Sequence, residues 1–351
     1  MRRIKISFSR AQHKSSPRDA ERGAVSIIVA VLLVALLGFA ALAVDVGAVY
    51  WEKAQLQNGA DAAALAIAED CAAGTPGTCG AFATTGQVLA NSNANDKSTG
   101  VSSITFPVAG TVRVETNARD AGTGANTFNL FFARALGIES TDVKASAEAS
   151  WGAPSSGTTL PWTISECVFK QFLSSSQLAQ LNSTGSFTGD PNPVHILLRY
   201  DENTPTYPGC AAQNGYVAGG FGWLDLDGGG CSAAVNIGAG EAGNNPGNNF
   251  PSACDTALSK LKTEPVLIPL FNGSAGSGSH GTYTLVGFVG FQITGYKFGG
   301  SLESIDPTAP ECSGNCRGIQ GFFTRYVSLK DGMTVTPGAP SYGTSIVSLS
   351  R

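Results

Sequence analysis

Residues 24–44 read AVSIIVAVLLVALLGFAALAV, and residues 45–70 continue without a break as DVGAVYWEKAQLQNGADAAALAIAED. The first stretch holds no charged side chain. As a helix rising 1.5 Å per residue it measures about 31 Å, enough to cross about 30 Å of hydrocarbon. A cleaved secretory signal is the rival reading, but its apolar core is shorter, about 7–15 residues, and is followed by a small-residue cleavage site. Here the run is longer and a helical pattern follows it, so the spacing predicts an uncleaved anchor at 23–45.

The second stretch repeats Val46, Val49, Lys53, Leu56, Ala60, Ala63 and Ile67 at alternating spacings of three and four. That is the periodicity of one helical face, and small residues dominate its far end. No proline occurs between Pro17 and Pro76. One helix from about Ala24 to Ala68 is therefore expected, about 68 Å long, half of it in the bilayer and half projecting. Its alanine-rich face allows close packing on the protein's own body or on a neighbour.

Charge sets the expected orientation. Residues 1–22 carry Arg2, Arg3, Lys5, Arg10, Lys14, Arg18 and Arg22 against Asp19 and Glu21, and the remainder of the chain has a net charge of −9. A basic flank stays cytoplasmic, which places the amino terminus inside and the bulk of the chain outside as a single-pass protein. The acidic remainder argues against nucleic acid as a partner. Cysteine usage agrees with export: Cys71, Cys79, Cys167, Cys210, Cys231, Cys254, Cys312 and Cys316 all follow the apolar run. An even number so placed points to disulfides, although the eight allow about 105 pairings. The loop between Cys71 and Cys79 contains Gly74, Pro76 and Gly77 and closes easily as a staple at the helix exit. Cys312 and Cys316 are read as a disulfide, local or to distant partners.

Past the helix, alternation predicts strands at 111–116 and 143–151, with a helix over Phe128–Leu136 ended by Gly137. With the long helix these make a small α+β domain over 46–152. Residues 153–160, rich in Gly, Ser and Thr, read as a linker. Residues 161–351 then form a cysteine-rich, β-rich extracytoplasmic domain. It is expected to hold a helix at 165–181 and another at 254–262. Strands are expected at 193–200, 266–271, about 283–293 and 322–329, with glycines 287, 290 and 295 marking bulges. The fold class is thus a membrane-anchored α+β protein with a disulfide-linked outer domain.

Candidate chemistry is sparse. Asp225-Leu-Asp-Gly-Gly-Gly230 resembles the start of a calcium loop, but Gly229 and Asn236 stand where an oxygen ligand and a glutamate are needed, so a solvated turn is expected. His195 lies in an apolar strand and reads as a core or edge histidine; His280 sits in a glycine-serine loop and His13 on the basic arm. No ordered catalytic set, cofactor motif or metal-ligand spacing is visible, and an enzyme is the least favoured class. Asp45, at the outer end of the apolar run, is expected either to sit at the bilayer surface or to be an ionic contact for a partner helix.

Arg22-Gly-Ala-Val-Ser-Ile-Ile-Val-Ala30, Ala40-Ala-Leu-Ala-Val-Asp-Val-Gly47 and Leu56-Gln-Asn-Gly-Ala-Asp-Ala-Ala-Ala-Leu-Ala66 together resemble the amino-terminal module of TadE/TadG-like proteins of tight-adherence (Flp) pilus assembly systems. The pattern covers about 50 residues. The segment from Asn129 to Trp151 is similar to what often follows in that family, and the second half, chiefly 222–225 and 287–296, more loosely so. The resemblance implies a non-enzymatic, envelope-anchored component whose partners are other Tad pilus-assembly proteins or cell-envelope components. A surface adhesin that binds a carbohydrate or host ligand through the outer domain is the alternative. Two features depart from the pattern. Ile28 stands where type IV-type prepilins carry a glutamate five residues after the processing glycine, which weighs against cleavage after Gly23 and packing as a filament subunit. No DxSxS metal motif of the larger TadG-like proteins occurs, so metal-dependent adhesion is not carried over.

Overall fold

The computed structural model describes residues 18–73, 79, 81–201, 207–210, 220–228, 230–237, 239, 241–243, 252–255, 257, 260–275, 282–299, 302–329, 332–336 and 339–350. Most of the basic arm, His13, His280, the turn around Pro76 and most of the glycine- and asparagine-rich stretch 238–249 lie outside these.

The long helix, α1, runs from Arg18 to Ala73. It is about 84 Å long and exceeds the expected span at both ends. Its two halves live in different surroundings. From Val25 to Val44 every residue is exposed except half-buried Ala41, whereas Leu56, Gly59, Ala60, Ala63, Ala64, Ile67 and Ala68 are buried. The alanine stripe is covered by the chain itself, against Val112, Val114, Ala147 and Ala149 of a sheet and Val347 from the carboxyl end. Small side chains are needed because the sheet and a second helix, α2 (Phe82–Ser92), both close on this half of α1. A Cβ on Gly59 would lie 3.2 Å from Ala90 Cα of α2. Helix α2 was not legible beforehand, since Thr84, Thr85 and Gly86 lower helix propensity. Gly86 is tolerated there because Ile67 and Ile104 fill the space beside it.

The sheet behind α1 runs in the order Thr99–Thr105, Thr111–Ala118, Lys144–Thr159, Thr344–Leu349 and Tyr326–Ser328. Val112 and Val114 stand opposite Ala149 and Ala147, which sets the apolar face toward the helix. The expected linker at 153–160 is instead the second half of one strand, Lys144–Thr159, paired with Ala233–Asn236 and Thr334–Thr336. Its Gly-Ser-Thr composition looked like a linker because its pairing partners lie far along the chain. The boundary at 152 also fails on the other side: residues 326–328 and 344–349, expected in the outer domain, complete the first sheet.

A second sheet, eight-stranded among the described residues, holds Ile196–Arg199, Gly318–Thr324, Thr282–Lys297, Val266–Ala275, Trp162–Ser165 and Phe221–Trp223 along its main path. Its core gathers Trp162, Phe169, Phe291, Ile319 and Phe323. The 282–297 strand bulges beside Gly287 and Gly295, where the register skips a residue, whereas Gly290 keeps regular register with Leu267 and Thr324 and marks no bulge. Leu285, Phe288, Val235 and Ile346 form a further cluster that joins the two sheets. Residues 322–329 form two strands instead of one: the chain breaks at Arg325 and passes from the second sheet to the first. Arg325 donates from its guanidinium to the Ala72 carbonyl, a cation at the carboxyl end of α1. The expected 165–181 helix is split into Glu166–Gln171 and Ser175–Thr184, the second started by a capping box between Ser174 and Gln177. Near 254 a short 3-10 turn, Ser252–Cys254, replaces the expected helix among the described residues.

All eight cysteines are paired: Cys71–Cys79, Cys167–Cys210, Cys231–Cys254 and Cys312–Cys316.

Candidate functional site: the long helix at the membrane boundary

Asp45 is the first ionisable residue after the apolar run, and it is buried, 4% exposed. Within the chain its partners are backbone N–H groups of a distant hairpin. Its carboxylate accepts backbone N–H groups from Phe131 (2.8 Å), Phe132 (3.1 Å to one oxygen and 3.2 Å to the other) and Ala133 (2.7 Å). These N–H groups open the 3-10 turn Ala133–Leu136, so the carboxylate satisfies donors that have no partner inside the turn. The helix expected over 128–136 therefore starts late. Phe128–Asn129 pairs with Ser140–Thr141, Leu130 N–H donates to the Glu139 carbonyl, and Gly137 ends the turn at φ +84°. This hairpin is held to the domain by Leu130 and Val143, which are buried, the latter beside Leu56 and Ala118.

Thus Asp45 fixes the hairpin 128–141 to the level at which α1 leaves its apolar run. One turn further along, Val49 and Phe128 pack on the same cluster as Leu56. Thr116 Oγ1 donates to the Leu56 carbonyl at 2.9 Å, and Gln57 Nε2 reaches the Ser146 carbonyl at 3.1 Å. The projecting half of α1 is therefore bolted to its own sheet by side chains on both flanks of the alanine stripe.

Residues 23–70 match the family model of putative Flp pilus-assembly TadE/G-like proteins. The chain carries a TadE/G-like segment. No curated protein and no solved structure matches the chain. The TadE/G-like segment coincides with α1 from Gly23 to Asp70, and it has two jobs in the structure. Its first half contains an 18-residue window of mean hydropathy 3.1 with no buried share, a candidate membrane span that supports membrane anchoring. Its second half supplies the Leu-Gln-Asn-Gly-Ala-Asp-Ala-Ala-Ala stretch, whose Gly59, Ala60, Ala63 and Ala64 are the contact face for the first sheet and α2. The match covers residues 23–70 alone and supports involvement in Flp/Tad pilus assembly.

Elsewhere the structure assembles a polar cluster that the sequence did not announce. His195 Nδ1 lies 2.5 Å from Asp306 Oδ2, and Thr308 Oγ1 lies 2.8 Å from the same nitrogen. Burial pushes the Asp306 carboxyl up, but hydrogen bonds from Thr294, from the hydroxyl and N–H of Thr308, and from His195 outweigh it and hold the group well below the usual carboxylate range. The His195 ring stacks on Phe322 at 5.2 Å. The partners are more than a hundred residues apart in sequence, so no spacing signal exists. The Asp225 turn closes through Asp227 N–H to the Ser232 carbonyl at 2.7 Å. Among the described residues no group of three or more His, Cys, Asp or Glu is placed to hold a metal ion.

Proposed function

We propose that the protein is a non-enzymatic, envelope-anchored component of a Tad/Flp-type pilus assembly or adherence system. The amino terminus lies inside, α1 crosses the membrane once, and the disulfide-linked sheets stand outside, where they contact sister Tad proteins or other envelope components. The observation that carries this reading is the coincidence of the TadE/G-like segment with a helix that is bare over its apolar half and packed on its own domain over the other. The basic residues at 2–22 and the four disulfides support the orientation. Permanent packing of the alanine stripe against the sheet supports an anchor over a filament subunit, since that face is already occupied. Alkaline phosphatase fused after Arg351 should be active in intact cells. A reporter that works only in the cytoplasm, active at the same position, would overturn the topology. Deletion of the gene should abolish assembled pili; intact pili with lost adherence would favour an adhesin, and substrate turnover by purified protein without envelope partners would overturn both.

A further inference from the structure

The hairpin 128–141 shows more apolar surface than its fold uses. Phe131 is 71% exposed, Phe132 50%, Leu136 83% and Ile138 54%, and they crowd into eight residues at its tip. Scattered exposed apolar residues are ordinary, but a cluster of this size marks a contact surface. Its height is fixed. Phe131, Phe132 and Ala133 are bonded to Asp45, one residue beyond the apolar run. Ile138 and Ala133 line an open groove of about 520 Å³ together with Leu42, Val46 and Tyr50. Leu42 belongs to the run itself, so the tip reaches the depth of the hydrocarbon edge.

We infer that the hairpin tip is a second membrane contact, seated in the interface of the leaflet on the ectodomain side. This rests on the reading of α1 as a membrane span, and the lipid-facing surface of α1 continues directly onto the tip. The interfacial zone adds about 5–7 Å beyond the hydrocarbon on each side, which covers α1 from Asp45 to about Val49. Tyr50 and Trp51, both exposed, follow at its outer edge, the level at which amphipathic aromatic rings collect. Charge is sorted in the same sense. Arg134 is the ionisable residue of the tip 131–138, where a guanidinium reaches lipid phosphate while its stem stays among apolar groups. Glu139 and Asp142 lie on the limb that climbs back to buried Val143. Two attachments at one level fix both the depth of α1 and its rotation about its axis. The outer domain is then held in one orientation to the membrane instead of swinging on a single helix.

Photo-cross-linking in cells on the full chain tests this. Benzoylphenylalanine is placed singly at Leu136, Ile138, Leu32 in the span, and Val108 on the distant turn between the first two strands. Retention of the four disulfides checks that each variant is folded. Irradiation should give a mass increase of one phospholipid at Leu136, Ile138 and Leu32, and none at Val108. A lipid adduct at Leu32 alone, equal labelling at Val108, or a cross-link from Leu136 to another polypeptide would overturn the inference. Absence of lipid at Leu32 as well would overturn the membrane span on which it rests.

Discussion

At the scale of single residues, Asp45 is the hinge of the account, because one carboxylate joins the end of the apolar run to a hairpin 86 residues away. An ionised carboxylate accepting backbone N–H groups makes charge-assisted bonds, stronger than neutral ones. Asp45→Asn keeps the shape but removes the charge and one acceptor. We expect faster amide hydrogen exchange at Phe131, Phe132 and Ala133, with protection elsewhere in the sheet unchanged; equal protection in both proteins would contradict the clamp. Asp306 gives a pH prediction. Its folded pKa is depressed, so its stabilising effect is present above the unfolded value of about 3.9 and is lost as pH falls through the folded one. Asp306→Asn should lower Tm at pH 7, and the gap to the wild type should shrink only below about pH 4. A gap that grows toward acid would reverse the sign and refute the assignment.

At the scale of elements, the long helix was legible because its signals are local: an uninterrupted apolar run, then a stripe at spacings of three and four. What the stripe packs against was not legible. Ala63 and Ala64 read equally well as a face for a neighbour, and only the sheet residues Val112, Val114, Ala147 and Ala149 decide it. Ala64→Leu should therefore destabilise the protein by about 1–3 kcal/mol through overpacking, read as a lower Tm of the detergent-solubilised chain. An unchanged Tm would mean that the stripe is free. Residues 153–160 were misread for the same reason in reverse: their composition is that of a loop, while Val235, Val335 and their neighbours make them a strand. Gly287 shows the same non-local logic, as the Tyr342 ring occupies the space a Cβ would need. The disulfides differ in leverage as well. Cys167–Cys210 spans 43 residues and Cys312–Cys316 only 4. On chain-entropy grounds, removing the first should cost about 2 kcal/mol more than removing the second. Equal losses in urea unfolding would point to a role for Cys312–Cys316 beyond its short loop.

At the scale of the whole molecule, the two halves are interlocked and not strung on a linker. Strand Lys144–Thr159 serves the first sheet with one end and pairs with outer-domain strands at the other, and Thr344–Leu349 returns the carboxyl end to the helix-bearing layer. Arg325 ties the sheet crossing to the carboxyl end of α1. A force or contact on the second sheet is thereby transmitted to α1, as the proposed role of an envelope anchor requires. On the proposed function, this anchored body is required to build Tad-type pili. The most direct measurement counts assembled pili on cells lacking the gene, with and without the full chain restored from a plasmid. Pili should be lost on deletion and recover on restoration, while normal pilus numbers in the deletion strain would contradict this role.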